Sequence, residues 1–482
     1  MTRPISHRIG ERIEPGRATA EVEDLDPSDQ RNVLARFRPL DDDQVGALVD
    51  VVAGSTSWAD TPTIERGAVL QRAAQHLRAN RDRFATTIAT ENGKTLREAS
   101  IEVDKSADFL DFYGGLARAP QGTLLADGRP NTYARVIAEP VGLVLAICPW
   151  NDPLLTPARK VAPALATGNH VLLKPAQHTP LAGLVLEEAL LAGGLPPDAL
   201  GVLICRRDSL ERVVLDDPRL AAVTFTGSTE VGNALRARLA ARNVRVQTEM
   251  GGKNAAIVCA DADLDLTVEA VVAGAFGQAG QRCTATSRLL VAREIEDRLL
   301  ERLMKATVAI AVGPSTSATT TMGPLVAMDH RADVARHVAQ AVDDGAVVLT
   351  GGAPPGDDDL AHGCFFEPTI VDAEPTTRLW RDEVFGPVLA VHAFDSVDDA
   401  FALANDSIYG LAASVFTRSL TIAERAIREI DAGQVAVNLP TSGWDVHEPF
   451  GGFRESGSAF KEQGLPGLQF YTRVKTAAVR FS

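Results

Sequence analysis

A doubly wound α/β fold built in two lobes is what this sequence predicts, and three observations carry that expectation. Short apolar runs alternate with helix-spaced segments twice, once between Val141 and Val246 and again after Gly252. Polar or glycine-punctuated turns follow several of these runs, at the strand ends where an open parallel sheet binds ligands. The 482 residues exceed one hydrophobic core, and about three lobes are expected.

In chain order, residues 1–43 are polar and punctuated by Pro and Asp, which predicts irregular chain or short edge strands. From Asp43 to Arg118 the spacing turns helical: Val69, Leu70, Ala73 and Leu77 recur at three and four, and Phe84, Ile88 and Leu96 continue. Trp58 is expected in the core. Residues 119–137 are interrupted by Gly and Pro and then alternate, which predicts a projecting hairpin. The tail from Gly467 to Val479 alternates similarly, and both segments are expected to pair between subunits rather than within one chain.

VGLVLAI, HVLLK, GVLIC and AAVTF predict buried strands, with helices over Leu181–Ala192 and Glu230–Ala240. The second lobe offers NAAIVC, LLVA, AVVLT, PVLAVHAF and VAVN as strands, with helices near Leu264–Phe276 and Glu294–Val312. GDDDLAHG near residue 360 reads as a solvated loop, and no internal repeat is visible.

Apolar content of 45% and charged content of 23% are those of an ordinary globular protein. A net charge of −15 argues against a nucleic-acid footprint and against an anionic membrane surface. Five cysteines, odd in number and not spaced as metal pairs, predict free thiols, a reducing compartment and no metal site. With no secretory h-region after Met1 and no run of about 18 apolar residues, a cytoplasmic protein is expected.

The chemistry centres on Gly280-Gln281-Arg282-Cys283-Thr284. Gly280 lets backbone approach a bound group, and Arg282 is expected to lower the thiol pKa from about 8.5 towards neutrality. A thiolate on a turn is a good nucleophile; the bland alternative is a small buried thiol. Pro149-Trp150-Asn151 follows a strand and offers an amide to a developing oxyanion. Glu249-Met250-Gly251-Gly252 leaves a carboxylate free for general base work on water. Phe225-Thr226-Gly227-Ser228 precedes a helix whose N–H groups suit a phosphate. Lys174 and Glu383 offer charges for a ribose, and Phe385 a face for a flat ring. Each also has an ordinary structural explanation: a turn cap, a solvated charge or a core aromatic.

As an ordered set, PWN, LLKPA, FTGSTEVG, EMGGKNA, GQRCTA, EVFGPV, YGLAASVFT and PFGGFRESG resemble the NAD(P)-dependent aldehyde dehydrogenase superfamily, from about residue 30 to the C-terminus. The resemblance implies a Rossmann-like cofactor domain (1–118 and 138–251), an α/β catalytic domain (252–458) and an oligomerisation element (119–137 with 459–482), in a homodimer or homotetramer. It implies Cys283 as nucleophile, Asn151 with the Cys283 N–H as oxyanion donors, and Glu249 as base for water. The cofactor would meet Trp150, Lys174, Thr226, Gly227, Ser228, Glu383 and Phe385.

The chain departs from the pattern in places. Gln177 stands where NAD-preferring members often carry Glu, and Arg206 and Arg207 lie nearby, so NADP is expected beside NAD or ahead of it. Asp152 replaces an aromatic residue after PWN. Arg159 matches a carboxylate-holding position of succinate-semialdehyde dehydrogenases, whereas their second arginine, six residues before the cysteine, is Gly277 here. Arg282, Trp444 and His447, in a stretch reminiscent of ketoglutaric-semialdehyde dehydrogenases, complete a site expected to take a small polar or acidic semialdehyde. The alternative is that Asp152 and Arg159 pair with each other. A CoA-acylating dehydrogenase and a non-catalytic scaffold are the rival functions. Glu249 weighs against the first, and Cys283, Glu249, Asn151, Lys174 and Glu383 together against the second. His170, His178, His362 and Cys148 are expected to be structural.

Overall fold

The protein is described by a computed structural model over residues 3–119 and 122–481. Pro120 and Gln121, at the start of the expected hairpin, lie outside the described residues.

The first lobe is a five-stranded parallel sheet. Its spatial order is Leu200–Val202, His170–Lys174, Leu143–Ile147, Leu220–Thr226, Arg245–Glu249. The chain enters at the middle strand, builds outward on one side, then crosses to the other. That reversal opens a crevice beyond the carboxyl ends of Leu143–Ile147 and Leu220–Thr226, where two helices diverge. Asn151 and Thr226–Ser228 therefore leave the sheet side by side. GVLIC yields only the three-residue strand Leu200–Val202, because the chain then turns so that Cys205 bridges to Leu40.

The helical block forms as its spacing predicts, over Asp42–Gly54, Thr63–Ala79, Arg81–Asn92 and Leu96–Gly115. Asp41 and Thr95 open two of these helices with capping boxes completed by Gln44 and Glu98. Trp58 is buried, and its indole N–H donates to the Leu165 carbonyl at 3.0 Å. The first 43 residues are more regular than their composition suggests. Asp29–Phe37 is a nine-residue strand paired on both sides.

The second lobe is a seven-stranded sheet ordered Val347–Thr350, Thr369–Asp372, Val388–Phe394, Thr286–Ala292, Asn254–Val258, Ala412–Phe416, Gln434–Val437, parallel except for its first pair. The helix over Leu264–Phe276 has the expected bounds, capped by Asp263. Met328–Asp343, Val397–Asn405 and Leu420–Glu429 are helices that hydropathy spacing alone left unassigned. No helix of the described residues is long and apolar enough to cross a membrane.

The expected hairpin forms from Gly122–Leu125 and Thr132–Pro140. The tail corrects two expectations. Gly464–Tyr471 is a helix, not the start of a strand, and it buries Phe470 and Tyr471. Thr472–Arg480 then pairs with Thr132–Pro140 of its own chain, nine residues in register from Thr472 opposite Pro140 to Arg480 opposite Thr132.

Candidate active site

One cavity of about 460 Å³ lies between the lobes and collects side chains from both. Asn151, on the turn after Leu143–Ile147, lines it and is nearly buried, and among the described residues its amide has no protein partner. Cys283 enters from the opposite lobe on a turn with an unusual approach. Gln278 (φ 52°), Ala279 (φ 53°) and Gly280 (φ 70°) are consecutively left-handed. Gly280 is required there, since a Cβ would overlap the Gly386 carbonyl. Behind the turn, Asn254 donates to the Cys283 and Ala285 carbonyls, both at 2.8 Å.

Burial pushes Cys283 up to about 12, opposed by the Arg159 guanidinium and reinforced by Asp152, Glu383 and Glu249. The expected influence of Arg282 is not among these, and its Nε is turned aside to donate to Gln278 Oε1 at 2.8 Å.

Glu249 ends the last strand of the first sheet, 2% exposed, with neither carboxylate oxygen hydrogen-bonded. Burial and the nearby Glu462 raise its pKa well above the carboxylate range, with Lys160, Lys461 and Arg159 opposing. Gly451 leaves it room, since a Cβ would stand 2.6 Å from Oε1. Cys283, Asn151 and Glu249 thus share one cavity.

The nucleotide side divides in two. Thr226, Gly227, Ser228, Glu383, Phe385 and Trp150 line the cavity. Ser228 caps the helix Thr229–Leu239, its Oγ accepting from the Val231 N–H at 3.4 Å, while among the described residues the buried Thr226 hydroxyl has no hydrogen-bond partner. Burial raises Glu383 to about 7, and its Oε1 accepts from the Gly252 N–H at 2.9 Å. Trp150 stands edge-on to Phe385 (centroids 5.3 Å apart), and the Phe385 carbonyl contacts His330 Nε2 at 2.8 Å.

Lys174, Gln177, Arg206 and Arg207 do not line this cavity and lie further along the same sheet edge. Burial lowers the Lys174 pKa, and its ammonium donates to the Pro175 carbonyl at 2.7 Å. Gln177 is exposed. Arg207 is held by Glu211 at 2.7 Å, whereas Arg206 is exposed and, among the described residues, free of ion pairs.

Asp152, Arg159, Arg282 and Trp444 line the cavity. The supposed pairing of Asp152 with Arg159 is absent. Asp152 Oδ1 accepts from Lys94 Nζ and from Gln278 Nε2, each at 3.0 Å. Arg159 pairs with Glu462 at 3.2 Å and lies over the Phe450 ring, 4.8 Å from its centroid. His447 is exposed and points to Asp445 rather than lining the cavity, because the Trp444 indole folds inward to the Thr441 carbonyl while the chain beyond turns out.

A model of the aldehyde dehydrogenase family matches residues 14–477. The chain belongs to that family. The 2,5-dioxopentanoate dehydrogenase of Saccharolobus solfataricus is 37% identical over 462 residues, covering 95% of each chain. The alpha-ketoglutarate semialdehyde dehydrogenase of Haloferax volcanii is 37% identical over 461 residues with the same coverage. Among solved structures, betaine aldehyde dehydrogenase from Staphylococcus aureus in complex with NAD+ superposes with a TM-score of 0.94 at 30% identity, covering 98% of this chain and 94% of that one.

Four residues of this aldehyde dehydrogenase at or near the site escaped the sequence reading: Lys94, Gln278, His330 and Glu462. Lys94 is buried between Glu102 (2.5 Å) and Asp152. Glu462 joins Arg159 to Lys160 and is itself buried. Gln278 lies five residues before the nucleophile, close enough to have been weighed with Gly277. The others carry no local signal.

Proposed function

We propose that this aldehyde dehydrogenase oxidises a small aldehyde bearing an acidic group to the corresponding carboxylate, with NAD or NADP as hydride acceptor. The observation that carries the proposal is the meeting of Cys283, the unpartnered Asn151 amide and the unpartnered Glu249 in one cavity, with Arg159 and Arg282 on its wall. The names of the semialdehyde dehydrogenases that resemble the chain support the acidic substrate.

The residues do the following work. Deprotonated Cys283 attacks the aldehyde carbon, and the carbonyl π electrons move to oxygen. The Asn151 amide and the Cys283 N–H donate to that oxyanion, an arrangement worth about 10²–10³ in rate per donor. NAD(P), when bound, supplies the acceptor for the hydride leaving that carbon. Glu249 then takes a proton from water as the water oxygen attacks the Cys283 thioester, and the sulfur leaves with the carboxylic product released. A carboxylate with raised pKa is suited to this work near neutral pH. Its presence favours water over coenzyme A as acceptor.

The cofactor fits the groups present. The orphaned hydroxyl of Thr226 and the helix N-terminus at Ser228 suit a pyrophosphate, and Glu383 suits a ribose diol with Phe385 beside it. The unpaired Arg206, with Gln177 in place of a carboxylate, supports acceptance of a 2′-phosphate. The three-stranded sheet leaves Gly122–Leu125 and Thr472–Arg480 as open edges, which supports assembly through them into a dimer or tetramer. The five-stranded and seven-stranded sheets, with the pairing of Thr132–Pro140 and Thr472–Arg480, support domain limits of 1–118 with 138–251, 252–458, and 119–137 with 459–482, although that strand runs three residues past the limit at 137. Five free cysteines support a cytoplasmic setting.

The test is a panel of aldehydes with and without a terminal carboxylate, each with NAD and NADP, followed by reduced-cofactor absorbance. Preference for the acidic members is expected. Equal kcat/KM for acidic and neutral aldehydes of one length discards the substrate assignment, and loss of activity without coenzyme A discards hydrolysis.

A further inference from the structure

We infer that Gln278 is a positioning residue for substrate selection: one side-chain amide, anchored on Asp152, holds Arg282 in the direction that receives the acid group of the aldehyde. The inference rests on the acidic-substrate reading above and adds to it which arginine is oriented, and by what.

Gln278 is bound at every polar atom. Its N–H donates to Glu98 Oε1 at 2.7 Å, and its carbonyl accepts from the Gln281 N–H and from Gln281 Nε2, both at 3.1 Å. Its Nε2 donates to Asp152 Oδ1 at 3.0 Å, and its Oε1 accepts from Arg282 Nε at 2.8 Å. An amide has one donor end and one acceptor end, so the carboxylate of Asp152 fixes which way it faces. The acceptor end is thereby turned to Arg282. Asp152 is fixed in turn by the buried Lys94, which it shares with Glu102. Glu102 is itself held by the N–H groups of Leu154 and Leu155 at 2.8 and 3.0 Å.

The guanidinium is thus gripped at Nε, while among the described residues Nη1 and Nη2 donate to no protein group. These two are the forked ends that match a carboxylate. Gly277 leaves the guanidinium room, since a Cβ there would stand 3.0 Å from Arg282 Nη1. The neighbouring Arg159 is differently placed, already engaged by the buried Glu462 and lying against Phe450. Charge counting agrees. Lys94 is one cation between two carboxylates, and Arg282 restores the balance at Asp152 without direct contact, leaving its fork for a ligand.

The experiment compares 4-oxobutanoate with butanal on the whole enzyme for Gln278→Met, Arg282→Leu, Arg282→Lys and the double variant Gln278→Met/Arg282→Leu. Gln278→Met is expected to raise KM for 4-oxobutanoate about tenfold, with a much smaller change for butanal, and the double variant to be no worse than Arg282→Leu. Arg282→Lys keeps the charge but has no guanidine Nε–H for Gln278 to hold, and is expected to lose the preference as fully as Arg282→Leu. This arm decides the matter if Gln278→Met does not fold. Equal KM changes for both aldehydes in Gln278→Met, multiplying effects in the double variant, or a preference retained by Arg282→Lys overturns the inference. A native enzyme with no preference between the two aldehydes instead refutes the acidic-substrate reading on which it rests.

Discussion

Asn254 secures Cys283 from behind, its side-chain amide donating to the Cys283 and Ala285 carbonyls at 2.8 Å while its Oδ1 accepts from the Ala412 N–H at 3.0 Å. One buried side chain thus ties the nucleophile's turn to a neighbouring strand of the seven-stranded sheet. Replacing Asn254 with Leu leaves three backbone groups unpaired, at about 1–3 kcal/mol for each that stays buried. A lowered unfolding midpoint is expected together with a fall in kcat of about 10²-fold, the cost of a 1 Å misplacement. Normal kcat in a folded variant contradicts the role.

Glu249 should govern the pH profile. Its buried, unpartnered carboxyl titrates well above the usual range, and only the ionised form accepts a proton from water. The rate is therefore expected to rise with pH through a limb displaced upward from about 4.3. Glu249→Gln should lower kcat by about 10²–10⁴-fold and abolish that limb. A limb that persists in the variant assigns it to another group.

Arg206 is expected to act on one cofactor and spare the other. Exposed and without an ion pair, it should meet a 2′-phosphate and little else. Arg206→Ser is expected to raise KM for NADP about tenfold while changing KM for NAD less than twofold. The tenfold step corresponds to about 1.4 kcal/mol. Equal shifts for both cofactors rule out 2′-phosphate contact.

A buried carboxyl pair should make stability fall towards alkaline pH. Burial raises Asp24 to about 7, and burial with the neighbouring Asp24 carboxyl also raises Glu91, whose oxygens accept from the Leu181 and Ala182 N–H groups. The native state therefore binds a proton that the unfolded chain, with pKa near 3.8, has released. The stabilisation is complete below that lower value and is lost as pH rises through about 7. Unfolding midpoints measured from pH 5 to 8.5 should decline, and Asp24→Asn should flatten the decline. An unchanged slope in the variant excludes the pair.

The fold was readable wherever periodicity is local. Leu264–Phe276 has its predicted bounds because its cap, Asp263, and its apolar stripe lie together in sequence. The tail misled because Phe470 and Tyr471 are both buried in the first-lobe core at the end of a helix, rather than alternating along a strand. At the site, motif spacing identified the reactive groups but not their partners. Arg159 finds Glu462 across 303 positions, and Asp152 finds Gln278 across 126. Such pairings arise only when distant segments of the chain pack together, which no window of the chain encodes. The thiol shows the same limit: Arg282 is its neighbour in sequence, while the cation that opposes its burial is Arg159.

The distribution of cysteines has a practical consequence. Cys148, Cys205, Cys259 and Cys364 are sealed in the interior, and Cys283 opens on the cavity. An alkylating probe small enough to enter should consume a single sulfhydryl per polypeptide, so mass spectrometry of the intact chain becomes a titration of functional centres. The speed of that capture, followed as cofactor is added, would register whether dinucleotide binding alone is enough to ionise the nucleophile.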